Sequence, residues 1–190
     1  LAEIRDEIAP NAVVISMAAG IKLASMAEAL PGNPNLIRTM PNTPALVGMG
    51  VTGVAAALSA SADAVSATME LFDSVGAALE ISEEQIDALS AISGSGPAWV
   101  FYIMEQWEQI ARNHGFSKEQ AAVMVRGTLA GSIDLLAQSD EELATLRSNV
   151  TSPGGTTERI IDTLEKADLQ TIFESSLQAA LQRAKEIGAS

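Results

Sequence analysis

The chain has 190 residues, 47% of them hydrophobic, with a formal net charge of −13 and no cysteine. Without cysteine there is no disulfide, thiolate metal site or cysteine nucleophile, and the single His114 cannot form a histidine cluster for zinc. The acidic balance opposes nucleic acid, whose phosphates it would repel, and no apolar run is long enough to span a membrane, so a small molecule or another protein is the expected partner. The chain opens on Leu1 and shows no basic-then-apolar leader, so its start reads as a boundary of processing or truncation and the expected compartment is the cytoplasm.

In chain order, Leu1, Ile4 and Ile8 have helical spacing ahead of Pro10, and Ala12 to Ser16 is a short β-prone run. A helical pattern from Lys22 to Leu30 stops at Pro31-Gly32, and Asn35 to Met40 is a second strand candidate. Strand, helix, strand predicts a parallel pair. The loops at the carboxyl ends of those strands, Ala18-Ala19-Gly20 and Met40-Pro41-Asn42-Thr43-Pro44, should then lie side by side on a ligand face. Small residues there admit a flat ligand, and the proline-fixed turn presents Asn42 and Thr43. Taken alone, Ala-Ala-Gly reads rather as a plain tight turn.

Gly48-Met49-Gly50-Val51-Thr52-Gly53 matches the G-x-G-x-x-G spacing of a dinucleotide fingerprint, but its context is wrong. The fingerprint follows a strand and opens a helix, whereas here a proline loop precedes and β-prone residues follow. Ala62 to Phe72 reads as a helix capped by Ser59 or Ser61, and Ala77 to Ile81 as the last short strand.

From Ser82 onward the β signal disappears, which puts a domain boundary near residues 81–86. Ser82 with Gln85 is a capping box for Glu83 to Ser90, and Pro97 stands in the first turn of a long helix running to Asn113 with Gly115 behind it. Trp99, Val100, Phe101, Ile103, Met104, Trp107 and Ile110 spread too widely over that helix for one packed stripe, so it should be covered on more than one side. His114 reads as a favourable partner of that helix's C-terminus. Ser117 with Gln120 opens a helix to about Gln138, in which Ala121, Ala122, Gly127, Ala130 and Gly131 invite a close neighbouring helix. Ser139 with Glu142 opens a short helix to Arg147, and an amphipathic helix fills Asp168 to Ile187.

Between these helices lies Thr151-Ser152-Pro153-Gly154-Gly155-Thr156-Thr157. Pro153 fixes one φ, the glycines allow positive φ and close approach, and the N–H groups of Gly155, Thr156 and Thr157 should face outward at a helix start. A carboxylate or phosphate fits such a loop; an N-cap with a flexible lead-in is the alternative.

Four motifs together give the chain a family resemblance: Ala18-Ala19-Gly20-Ile21, Met40 to Gly48, Ser93-Gly94-Ser95-Gly96-Pro97-Ala98 and Val150 to Thr157. In that order and spacing the sequence closely resembles pyrroline-5-carboxylate reductase over nearly its whole length. The resemblance implies part of a Rossmann-like NAD(P)H domain at residues 1–82. An all-helical domain at residues 83–190 would follow, carrying substrate and interlocking with a second copy in a homodimer or larger homo-oligomer. The implied reaction reduces 1-pyrroline-5-carboxylate to L-proline, with NADPH or NADH as cofactor and no metal. It implies that Ser152, Gly155, Thr156 and Thr157 hold the substrate carboxylate, with the Thr157 hydroxyl at the ring nitrogen as the catalytic group and Glu83 near the substrate. Ala18, Ala19, Gly20, Met40, Pro41, Asn42 and Thr43 would line the nicotinamide pocket, and Asn149 would reach the cofactor of the other protomer. Trp99 stands where the family usually has a smaller aromatic.

The family's fingerprint loop should precede Leu1, so this stretch alone is expected to bind NADPH weakly. The rival readings are another two-domain reductase such as a hydroxyacid dehydrogenase, and a non-catalytic helical dimer fragment. The first usually carries a lysine on the helix entering its helical domain, and none occurs from Ala98 to Asn113.

Overall fold

A computed structural model describes residues 1–188. The chain forms two compact units, Leu1–Pro97 with Ser176–Ser190, and Ala98–Ser175.

The first unit holds a four-stranded sheet in the order β1 (Val14–Ser16), β2 (Leu36–Pro41), β3 (Gly50–Ala56), β4 (Gly76–Glu80). The first pair is parallel, with Val14 opposite Leu36 and Ser16 opposite Arg38, as the strand-helix-strand spacing predicts. β2 and β3 run antiparallel from Ile37–Ala56 to Pro41–Thr52, and β3 and β4 are parallel. Successive side chains of β2 point to opposite faces, so Leu36 and Ile37 enter different cores. Leu36 packs with Met26 and Leu30 around α1 (Leu23–Ala29), and Ile37 with Val54, Ala64 and Phe72 around α2 (Ala62–Asp73). Ser61 caps α2, its hydroxyl accepting from the Ala64 N–H at 3.2 Å.

The glycine-rich stretch is not a phosphate loop. Gly48, at φ +73, ends a 3-10 turn over Thr43–Val47, while Gly50 and Gly53 belong to β3. A Cβ on Gly53 would lie 2.7 Å from Ile81 Cδ1, and one on Gly50 2.7 Å from the Ala45 Cβ, so close packing requires these glycines. Ala2–Glu7, expected to be helical, is a 3-10 helix.

The Ser82–Gln85 capping box is present, but the segment behind it is not one helix. A 3-10 turn (Glu83–Gln85), α3 (Ile86–Leu89) and a π-helical turn (Ser90–Gly94) lead into α4 (Gly96–Asn113). Ile86 is buried and Leu89 approaches β3, so these residues side with the sheet. By their contacts, residues 83–97 belong to the same compact unit as the sheet.

The remaining helices are α5 (Lys118–Ala137), α6 (Leu143–Asn149), α7 (Thr156–Lys166) and α8 (Leu169–Gly188). α5 has the predicted capping box at Ser117. α6 begins later than expected, because the Ser139 hydroxyl takes the Glu141 N–H at 3.1 Å and Glu142 becomes the N-cap. Asp168, at φ +50, accepts from the Thr171 hydroxyl at 2.7 Å and turns the chain into α8. Inside the second unit Trp99 stacks on Phe173 with ring centroids 5.6 Å apart. Ala121 is buried, but the close neighbour expected at the glycines of α5 is not found within the described chain: a Cβ on Gly127 or Gly131 would meet nothing within 4 Å. No described helix is long and apolar enough to cross a membrane.

Candidate active site

The candidate residues fall into two groups, each assembled within its own unit. In the first, β1 and β2 end side by side because they are parallel. The chain leaving β1 turns at Ser16, whose hydroxyl accepts from the Ala18 N–H at 3.3 Å, and passes Gly20 at φ +79. Ala18 and Ala19 are exposed, and Met40 and Pro41 at the end of β2 are half-buried. The result is a shelf of small side chains and backbone that suits a flat ring.

Asn42 does not face this shelf as expected. Its Oδ1 accepts from the Val51 N–H at 2.8 Å, and its Nδ2 donates to the carbonyl and hydroxyl oxygens of Ser93 at 3.2 and 3.1 Å. The amide is spent within the protein, whereas Thr43, one residue on, is exposed.

Glu83 is likewise tied inward. Its Oε1 accepts from Arg38 Nη1 at 3.0 Å and from the Leu23 N–H at 2.6 Å. The Arg38 side chain is 5% exposed and that of Glu83 28%, so Arg38 is a buried cation that needs this partner. Lys22 contributes no side-chain cap to α1, and Glu83 satisfies the first N–H of that helix from 60 residues away. Arg38 had escaped notice in the sequence; the available signal was a charge inside the apolar run of β2.

The second group follows α6. Thr151 closes that helix, its hydroxyl donating to the Arg147 carbonyl at 2.7 Å. Asn149 Nδ2 donates to Glu141 Oε2 at 2.9 Å on an exposed surface, a bond that water or a ligand can replace. In the loop, Gly154 adopts φ +73 and gives its N–H to Glu158 Oε2 at 3.0 Å. Gly155 is the N-cap of α7 at φ −80, so it needs no left-handed freedom. A Cβ there would stand 2.9 Å from the Ser152 carbonyl oxygen, the atom that accepts the Gly155 N–H at 2.9 Å. The outward set is therefore shifted by one residue from the expectation. Thr156, Thr157 and Glu158 begin the helix, ahead of its first i→i−4 bond, and their N–H groups have no acceptor among the described residues.

Ser152 is exposed and Thr157 half-buried beside those groups. Positive dipole density and free donors suit this helix start to an anion. Glu158 brings a carboxylate to the same turn, 3.8 Å from Arg159 Nη2. His114 closes α4 with its backbone N–H on the Ile110 and Ala111 carbonyls, followed by Gly115 at φ +92. No cluster of His, Asp or Glu able to hold a metal ion occurs among the described residues.

A Rossmann-like sheet leading into a run of helices is an architecture found among two-domain oxidoreductases. Within that class, residues 83–187 match a family model described as pyrroline-5-carboxylate reductase dimerisation. The chain is 39% identical over 180 residues to the pyrroline-5-carboxylate reductase of Pseudomonas aeruginosa, covering 94% of this chain and 66% of that one. It is 35% identical over 184 residues to that of Staphylococcus aureus strain COL, covering 97% and 68%. Among solved structures, a Coxiella burnetii pyrroline-5-carboxylate reductase superposes with a TM-score of 0.93 at 36% identity, over 98% of this chain and 70% of that one. A Plasmodium falciparum pyrroline carboxylate reductase with NADP bound gives 0.87 at 29% identity, over 98% and 75%. The chain belongs to the pyrroline-5-carboxylate reductase family. It spans about two thirds of the length of the curated relatives it matches.

Proposed function

We propose that the protein carrying this chain reduces 1-pyrroline-5-carboxylate to L-proline with NADPH, or with NADH as the alternative, in the last step of proline biosynthesis. Family membership supports the reaction, and the NADP-bound relative supports the cofactor. The observation that carries the reading is the start of α7, where the N–H groups of Thr156, Thr157 and Glu158 stand free beside the Ser152 and Thr157 hydroxyls.

That geometry suits a small cyclic imine bearing a carboxylate. The free N–H groups and the Ser152 hydroxyl hold the carboxylate, and the Thr157 hydroxyl meets the ring nitrogen, which gains a proton as the imine becomes an amine. When bound, the nicotinamide cofactor supplies the hydride that the imine carbon receives. The residues present suit its flat end: exposed Ala18 and Ala19, Gly20, and the Met40 to Thr43 backbone lie at adjacent strand ends. On this reading Asn149 exchanges its surface bond to Glu141 for the cofactor of a partner protomer.

The protein works as a homodimer or larger homo-oligomer. In the second unit Phe101 is 66% exposed, Tyr102 63%, Ile133 58% and Leu143 69%, while the small face of α5 stands open. Apolar surface of this extent is covered when helices of two copies pack together. The test is NADPH oxidation by the full-length protein, with L-proline measured as product. Stoichiometric L-proline supports the reading. Reduction of NADP+ by a hydroxy acid, with no oxidation of NADPH by pyrroline-5-carboxylate, would replace it with the hydroxyacid dehydrogenase alternative.

A further inference from the structure

The Ser93-Gly94-Ser95-Gly96-Pro97 motif has no place in the substrate or cofactor contacts just described, and the side chain of Asn42 turns away from the ligand shelf toward it. We propose that Asn42 is a positioning residue, which pins the Met40–Thr43 loop to the π-helical turn by giving the Ser93 carbonyl the donor that Pro97 withholds.

In a regular α-helix the carbonyl of residue 93 accepts from the N–H of residue 97. Pro97 has no N–H. Just before it the helix widens, with the Ser95 N–H bonded to the Ser90 carbonyl at 2.9 Å, an i→i+5 bond over residues 90–95. Such single π turns are rare and concentrate at functional sites. Asn42 Nδ2 reaches the Ser93 carbonyl at 3.2 Å and the Ser93 hydroxyl at 3.1 Å.

The other end of the amide is equally occupied. The β2–β3 ladder ends at the Pro41–Thr52 pair, and Asn42 Oδ1 extends it by accepting the Val51 N–H at 2.8 Å. One side chain thus joins the end of β2, the start of β3 and the π turn. The task needs an acceptor and a donor on one short planar group. Aspartate lacks the donor, glutamine is a methylene too long, and asparagine has both at the right reach.

The consequence for catalysis rests on the reductase reading, in which the Met40–Thr43 backbone lines the nicotinamide ring site. Asn42 then fixes that backbone without touching the ring. Its loss should loosen the cofactor contact more than the substrate contact, because Ser152 and Thr157 lie elsewhere in the chain.

The test uses full-length protein and two readouts. The first is amide hydrogen exchange in the ligand-free state on Asn42→Ala, Asn42→Asp, Pro97→Ala and the Asn42→Ala/Pro97→Ala double variant. Asn42→Ala should speed exchange at Val51 and across residues 90–95, on the order of tenfold, as expected for one lost hydrogen bond. Asn42→Asp should speed it in the turn alone, because the Val51 acceptor remains. Pro97→Ala offers the Ser93 carbonyl a helical N–H, so the double variant should regain protection in the turn and not at Val51.

The second readout is steady-state kinetics. The KM for NADPH should rise several-fold in Asn42→Ala and Asn42→Asp while the KM for pyrroline-5-carboxylate stays within about twofold. A purely structural loss would lower kcat with both KM values unchanged. Unchanged exchange at Val51 and the turn in Asn42→Ala overturns the pin, and changed exchange with an unchanged NADPH KM overturns the positioning role. If Asn42→Ala does not fold, Asn42→Asp decides the pin from exchange in the turn alone, with Val51 as its unchanged control. A wild-type protein that reduces no pyrroline-5-carboxylate removes the reductase reading and the role in that reaction, and the exchange pattern still decides the pin.

Discussion

Arg38 and Glu83 stand 45 residues apart in the sequence and meet at 3.0 Å, with the Arg38 side chain 5% exposed. Glu83 also accepts the Leu23 N–H, so one carboxylate neutralises a buried guanidinium and closes the start of α1. The expected place of Glu83 near the substrate thus carries a structural duty, one that holds β2, α1 and the segment before α3 together.

Removal of the carboxylate leaves the guanidinium buried without its partner. Glu83→Ala should lower unfolding free energy by about 3 kcal/mol, the scale for breaking a buried ion pair. Glu83→Gln keeps an acceptor for Leu23 and should cost less. Arg38→Met should cost less than Glu83→Ala, since the freed carboxylate is partly exposed and can be hydrated. Urea denaturation of the three variants gives this order directly; equal losses for Glu83→Ala and Glu83→Gln would show that an acceptor for the Leu23 N–H adds nothing once the charge is gone.

What could be read from the sequence divides along the range of the interactions. The parallel β1–β2 pair and the capping boxes at Ser82 and Ser117 were legible because a few adjacent residues specify each. Gly48-Met49-Gly50-Val51-Thr52-Gly53 was correctly set aside, since its β-prone flank is local information. The inward turn of Asn42, the Arg38–Glu83 pair and the siding of residues 83–97 with the sheet each depend on a partner dozens of residues away. The Gly155 amide was misread for another reason. Whether a loop N–H faces out depends on the φ and ψ values around it, and the bond to the Ser152 carbonyl consumes it.

Assembly follows from the exposed faces of α4 and α5. An interface that covers Phe101, Tyr102, Ile110 and Ile133 should exceed the standard size of about 1,600 Å². Sedimentation equilibrium at micromolar concentration should find no monomer, and Phe101→Glu should produce one or precipitate. A folded, soluble monomer of the unaltered protein would remove the dimer from the account.

Acid should act at the capped helix starts. The Glu84 carboxyl is held below the ordinary glutamate value by its own backbone N–H and by the Ser82 hydroxyl, and Glu119 by its own N–H and the Ser117 hydroxyl. A lowered folded-state value means that the stabilisation is present above the ordinary glutamate range and is lost as pH falls through the lowered value. Side-chain carbon NMR should show both groups titrating below the ordinary glutamate value, with fraying at Ser82 and Ser117 in the same window. Titration at the ordinary value would contradict it.

The most direct test of the substrate site compares Thr157→Ala with Ser152→Ala in the full-length enzyme by steady-state kinetics. Ser152 is one donor beside the free N–H groups of Thr156, Thr157 and Glu158, so its loss should mainly raise the KM for pyrroline-5-carboxylate, by about 0.5 to 1.5 kcal/mol in binding. The Thr157 hydroxyl would stand alone at the ring nitrogen, whose bonding changes during the reaction, so a contact there strengthens toward the transition state. Thr157→Ala should therefore lower kcat about 5- to 150-fold, with the smaller change in KM. An unchanged kcat in Thr157→Ala would contradict this, leaving the start of α7 as a carboxylate cradle with no part in the chemistry.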